Sequence, residues 1–179
     1  MKHKKTDTKH IEDMFRVFLD LHDFDGANFD ETPQRVAKMW DNFLHVEKPI
    51  LRAFPTTNNE MVVLKGIELW GFCPHHLLPI KYILKIGYIP SDKVLGLSKL
   101  ARLAKYCISR LPLQEDLPYL ITDELQRVLK PLGCGCQVNG YHLCIAMRGV
   151  EQDKATFITT SLKGIMLLSP ASQHEFLTT

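Results

Sequence analysis

Residues 61–89 read MVVLKGIELWGFCPHHLLPIKYILKIGYI. Two runs rich in Val, Ile, Leu and Tyr, Met61–Trp70 and Ile80–Ile89, flank a short polar turn, and Pro90-Ser91-Asp92 closes the second run. Such runs bounded by turn residues predict two strands of a hairpin. The turn itself places Cys73, His75 and His76 inside an apolar segment. A thiolate and an imidazole three residues apart can share one zinc ion, but two ligands do not hold a metal, so the remaining donors must come from elsewhere in the chain.

Moving outward, residues 8–22 place Ile11, Met14, Phe15, Phe18 and Leu19 at helical spacing, and DFDGANFDE breaks the pattern. Thr32-Pro33 reads as a cap followed by a first-turn proline, opening a second helix through Val36, Met39, Trp40 and Phe43. On the other side of the hairpin, a helix is expected from Ser98 along the stripe Leu100, Leu103, Ala104, Cys107, Ile108 and Leu111, with Pro112 ending it. Another is expected over Tyr119–Lys130, stopped by Pro131 and Gly133, and further strands over Val138–Val150 and Ala155–Ser161. Two amphipathic helices between strand pairs predict an α+β fold, an antiparallel sheet with helices on one face, preceded by an N-terminal helical segment. The expected division is 1–50 for that segment and 51–179 for the sheet domain.

The chain has 179 residues, 45% hydrophobic and 23% charged, enough for one sizeable core. No apolar run approaches the roughly 20 residues of a membrane span, and MKHKKTDTKH lacks a secretory apolar segment, so no membrane association and a cytoplasmic location are expected. A net charge of +2 does not point to nucleic acid, and the basic cluster Lys2–Lys9 reads as a solvated tail. Five cysteines in such a chain argue for burial, catalysis or metal binding rather than disulfides. Cys107 falls on a helix's apolar face; Cys134 and Cys136 read as buried on one face of a strand.

Cys73 and Cys144 remain. In YHLCIAMRG, strand alternation would put His142, Cys144, Ala146 and Arg148 on one face and Leu143, Ile145 and Met147 on a core face. An imidazole, a thiol and a guanidinium on one face predict a site. If that face meets the hairpin turn, Cys73, His76 and Cys144 supply zinc with three ligands and an open fourth position, the catalytic arrangement. His75 and His142 would then be proton carriers. A closed structural zinc with His75 or Cys136 as fourth ligand, or merely buried thiols, are the alternatives. Ser98 and Lys99 at a helix start with Arg102 one turn on, together with Arg35, Lys38 and Arg148, form a cation set suited to a polyphosphate. Glu115, with Gln114 beside it, has the chemistry to accept the paired N–H groups of guanine.

The ordered segments ETPQRVAKMW, CPHHLLP, YIPSDKVLGLSKLARL, LQE, HLCIAMRGV, TTSL and HEFL make the chain resemble the GTP cyclohydrolase I family from about Thr32 to Leu177. The resemblance implies the tunnelling fold (T-fold), a homodecamer of two pentamers with active sites between subunits, and zinc-dependent conversion of GTP to 7,8-dihydroneopterin triphosphate with release of formate. It implies zinc ligation by Cys73, His76 and Cys144, and guanine recognition by Glu115 with Gln114. Triphosphate contacts fall to Lys99, Arg102 and Arg148, with Arg35 and Lys38 as an arm of the same cluster. In the implied reaction, water adds at C8 while His142 passes a proton to N7. His142, His75 and Ser98 then serve the ribose rearrangement and pterin closure. An enzyme stopping at the ring-opened formamide and a non-catalytic zinc and nucleotide binder are the competing readings. The chain departs from the family pattern at Pro74, Tyr82, Pro112, Asp116 and Pro118, positions that bear on the turn and on the loop around Glu115.

Overall fold

The hairpin forms as expected and runs longer. In the computed structural model, which describes residues 8–179, strand β2 (Val62–Phe72) pairs antiparallel with β3 (Pro79–Ile89), from Val62↔Tyr88 to Phe72↔Pro79. The ladder shifts between Leu64 and Ile67, where Gly66 takes φ +72°, a backbone angle that favours glycine at a bulge. Strands β5 (Gly133–His142) and β6 (Phe157–Gly164) complete a sheet of order β2-β3-β5-β6, antiparallel throughout. A two-stranded ribbon joins β1 (Ala53–Pro55) to β4 (Lys93–Leu95).

Between β3 and β5 the chain makes α3 (Ser98–Ile108) and α4 (Leu117–Leu129). Their apolar stripes, Leu100, Leu103, Ala104, Cys107 and Ile108 on one and Leu117, Ile121, Leu125 and Leu129 on the other, are buried. Across from them the alternating residues Tyr82, Leu84, Ile86 and Tyr88 of β3 register with Cys134, Cys136 and Val138 of β5, each at most 1% exposed. This is the core, and it contains Cys107, Cys134 and Cys136 as expected. Its polar atoms are paired: the Tyr88 hydroxyl accepts from the Leu95 N–H at 2.9 Å, and the Thr122 hydroxyl bonds Pro118 O at 3.0 Å and Ser161 Oγ at 2.8 Å. Helix α4 stops at Lys130, whose left-handed backbone (φ +47°) caps it.

The C-terminal segment, which the sequence reading left without an element, adds α6 (Ile165–Leu168) and α7 (Pro170–Thr178). The signal was present in Ser169-Pro170, a cap and a first-turn proline; Ser169 Oγ accepts from the Ser172 N–H. Phe176 of α7, fully buried, seats against the paired glycines Gly87 and Gly135. A Cβ at either would stand 3.0–3.1 Å from its ring. Lys85 lies over the ring at 5.1 Å and donates to Leu177 O at 3.0 Å, as a cation at a helix C-terminus should.

Two expectations are corrected. The strand expected over Val138–Val150 ends at His142 and gives way to a helical turn, α5 (Leu143–Ala146). The β3 ladder reaches only Ile80↔His142, and next along β3 stands Pro79, which has no N–H to offer. The chain instead satisfies itself, with the Met147 N–H on Leu143 O at 3.0 Å. Cys144 and Arg148 therefore do not continue one strand face with His142, and Met147, expected in the core, is 61% exposed. Thr32 is the first residue of α2 (Thr32–Leu44) rather than its cap, because the turn from Phe29 already brings Glu31 into helical geometry.

The chain divides into two compact units, Met1–Glu47 and Lys48–Thr179. The first contains α1 (Thr8–Leu21) and α2, with Leu19, Pro33 and Ala37 buried. Most of the basic cluster Lys2–Lys9 lies outside the described residues. Among the described residues no helix is long and apolar enough to cross a membrane.

Phe176→Ala is expected to cost about 3–5 kcal/mol in urea unfolding, and Gly135→Ala about 1–3 kcal/mol, because the added methyl collides with the ring and with Leu162. Since removing the ring makes room for the methyl, the double variant should lose less than the sum; strict additivity would contradict this packing.

Candidate metal centre and surrounding cavity

Cys73 follows the last residue of β2, and the connection to β3 is a closed turn: the Cys73 N–H donates to Leu78 O at 2.8 Å and the Leu77 N–H to Cys73 O at 2.8 Å. Leu77 takes φ +53°, a left-handed geometry that costs a branched residue energy and must be held by its surroundings. The turn buries Cys73 to 4% exposure while leaving His75 and His76 exposed. From the other side, the α5 turn brings in Cys144, half-buried. The ligand atoms of Cys73, His76 and Cys144 all lie within 4.8 Å of one another, and among the described residues this is the only group of three such side chains that could hold a metal.

The donor set fits zinc. Tetrahedral bonds of ordinary Zn–S and Zn–N length put neighbouring ligand atoms about 3.5–3.8 Å apart. Cys73 Sγ and His76 Nδ1 stand 3.7 Å apart. Burial raises the Cys144 pKa, and a hydrogen bond and charge repulsion from Cys73 raise it further, with Arg148 opposing. Two thiolates in this space require a cation between them. Cys136, weighed as a fourth ligand, lies fully buried in the core with its pKa driven well up by desolvation, and it is not in the group.

The three donors border a cavity of about 260 Å³ whose wall also includes His75, Gln114, Glu115 and His142. His142, the last residue of β5, has its Nε2 2.5 Å from Gln114 Oε1 and its Nδ1 4.0 Å from Cys144 Sγ. Burial lowers its pKa, with Glu115 pulling the other way, so the ring is neutral at pH 7. Tyr82, 1% exposed, stands edge-on to His142 at 6.3 Å; burial and the negative groups Cys73, Glu115 and Cys144 raise its pKa and keep it a neutral phenol.

One cavity thus gathers Cys73, His75, His76, Gln114, Glu115, His142 and Cys144. Gln114, expected beside the base, is 5% exposed with both ends of its carboxamide already engaged, on His142 and on Phe157 O. Ser98, Lys99 and Arg102 stand in the first turns of α3, and Arg148 beyond α5; none borders the cavity. Arg35 and Lys38 belong to the first unit, where Arg35 pairs with Glu31. Sequence reasoning missed the apolar wall, Ile80, Leu113, Ile145 and Phe157. Phe157, whose ring centroid is 5.6 Å from that of His142, opens β6 two residues before the TTSL segment, but nothing local distinguishes it from a core strand residue.

The profile of the family described as GTP cyclohydrolase I matches residues 9–179. A GTP cyclohydrolase 1 from Aquifex aeolicus is 37% identical over 96% of this chain and 95% of its own length. Its counterpart from Wolinella succinogenes is 38% identical over 82% of each. That from Hydrogenobaculum sp. is 36% identical over 95% of this chain and 96% of its own. With the match running almost end to end, the chain belongs to the GTP cyclohydrolase I family.

Proposed function

We propose that this protein opens the imidazole ring of GTP by hydrolysis, releases formate and forms 7,8-dihydroneopterin triphosphate, using zinc held by Cys73, His76 and Cys144. The observation that carries the reading is the convergence of that soft donor set with His142 and Glu115 around one cavity. Zinc held there would act as a Lewis acid and make a water molecule nucleophilic near neutral pH. Glu115, at the cavity's edge, accepts the ring N–H and exocyclic amine of guanine, orienting C8 toward the donor set. His142, neutral before reaction, takes a proton and delivers it to N7 as the ring opens. His75 serves as a second proton carrier, and the apolar wall limits stray water.

Lys99, Arg102 and Arg148 hold the triphosphate in this reading, Arg35 and Lys38 extend the same cluster, and Ser98 assists the ribose steps. Because Ser98, Lys99, Arg102 and Arg148 do not border the cavity of one copy, the reading includes a homo-oligomer, a decamer of two pentamers, in which neighbouring subunits complete each site. A cytoplasmic setting suits five free thiols.

Zinc-loaded protein incubated with GTP should yield formate together with pterin fluorescence after oxidation. Consumption of GTP without formate would mean arrest at the formamide, and no consumption with zinc present would reduce the protein to a binder. Two variants separate the roles. Cys144→Ser should leave the purified protein without bound zinc by elemental analysis. His142→Ala should keep zinc while turnover falls by about 10²–10⁴-fold, the usual contribution of a positioned acid–base group; wild-type-like turnover would remove His142 from the chemistry.

A further inference from the structure

The Gln114 carboxamide sits in a niche that leaves it one orientation. Its Nε2 lies 2.7 Å from the carbonyl oxygen of Phe157, an atom that only accepts, so that end must be the NH₂ group. The opposite end, facing His142 Nε2 at 2.5 Å, is therefore the oxygen. An amide oxygen only accepts, so His142 Nε2 must carry a hydrogen. In a neutral imidazole the other nitrogen, Nδ1, is then bare. Nδ1 is the nitrogen 4.0 Å from Cys144 Sγ, on the side of the metal donors.

The backbone is built to keep the carboxamide there. The Thr159 hydroxyl donates to Gln114 O at 3.2 Å, tying the residue to β6. Below it, Gly140 of β5 makes the space: a Cβ at 140 would overlap Gln114 Oε1 and approach His142 Nε2 to 3.1 Å. With both ends of the amide engaged and the residue 5% exposed, the side chain is poorly placed to greet a base as well.

We propose that Gln114 is a positioning residue whose carboxamide fixes His142 as the Nε2–H tautomer, leaving Nδ1 as the nitrogen that takes and returns protons. This rests on the assignment of His142 as the proton carrier in GTP hydrolysis. It moves the Gln114 side chain from substrate recognition to control of that histidine, leaving base recognition to Glu115. The logic is that of any catalytic histidine whose working nitrogen is chosen by the bond its other nitrogen makes.

The test pairs spectroscopy with kinetics. In ¹⁵N-histidine-labelled, zinc-loaded protein, one-bond and long-range ¹H–¹⁵N correlations, assigned against His142→Gln, should show the His142 hydrogen on Nε2; a hydrogen on Nδ1 overturns the proposal. Gln114→Met keeps the shape but loses the acceptor that faces His142 Nε2. With zinc content unchanged, the methionine variant should lose about 10–100-fold in kcat, the range seen when a group orienting a site residue is removed. Its KM for GTP should stay within about threefold, because uniform substrate binding has not been touched. A raised KM at unchanged kcat would make Gln114 a base contact and overturn the proposal. If the wild type fails to consume GTP, the functional reading falls, while the tautomer spectrum, which needs no turnover, still decides where the His142 hydrogen resides.

Discussion

Strand β3 is hydrogen-bonded on both flanks, to β2 as far as Phe72↔Pro79 and to β5 as far as Ile80↔His142, and the site forms where both ladders run out. Register in a sheet is an all-or-none constraint, since a slip by one residue turns every side chain to the other face. Here the buried set Tyr82, Leu84, Ile86 and Tyr88, matched by Cys134, Cys136 and Val138, allows only one register. That register delivers Cys73 and His142 to the same end of the sheet. At that end both neighbours leave the ladder, β2 because it connects back into β3 and β5 because Pro79 offers it no N–H. One departs as the 73–78 turn and the other as the α5 turn, and the two departures bring the sulfur atoms of Cys73 and Cys144 together.

The electrostatics at this end follow from burial. Desolvation makes the Cys144 thiol harder to ionise, and the neighbouring Cys73 adds to the cost. The buried cysteines of the core, Cys107 with a pKa pushed up to about 12 and Cys134 to about 11, show what burial does when no cation is intended: the thiol stays neutral and acts as a small hydrophobe. His76 stands beside Cys73 and Cys144, Cys144 is only partly buried, and Arg148 acts on Cys144 in the direction of the thiolate. The same chemical group is thus a buried hydrophobe in one layer of the sheet and placed where it could hold a metal at its end.

Much of this was legible in the sequence, and the parts that were not share a physical cause. Periodicity located the hairpin, both core helices and the buried cysteines, because those elements bury a regular stripe. The donors Cys73, His76 and Cys144 were legible because that combination has few uses away from a metal. What alternation could not reveal was that β5 would end at His142: YHLCIAMRG alternates well enough for a strand, and only the supply of partners on β3, a tertiary fact, stops it. The helix carrying Phe176 was also missed. Its anchor is a cavity made by Gly87 and Gly135, two glycines 48 positions apart that become neighbours only through strand pairing. The engagement of Gln114 was hidden for the same reason, its partners being His142 and Phe157, 28 and 43 positions away.

The departures from the family pattern make sense as local stiffening. Pro74 fixes the backbone immediately after Cys73, and with Leu77 held left-handed and the Cys73 N–H closed onto Leu78 O, the donor turn is shaped by its own bonds rather than by the ion. Pro118 lies in the first turn of α4, where no intrahelical N–H is needed, and Asp116 occupies the cap position of the same helix. The helix thus starts just after Glu115, which borders the cavity. Tyr82 fills the floor beneath His142 and requires Gly71 opposite, where a Cβ would come within 2.7 Å of its ring. The consequence is a cavity in which Cys73, His76, Cys144, His142 and Glu115 are held together by the fold itself, so that in the proposed reaction binding energy from the triphosphate need not be spent on assembling them.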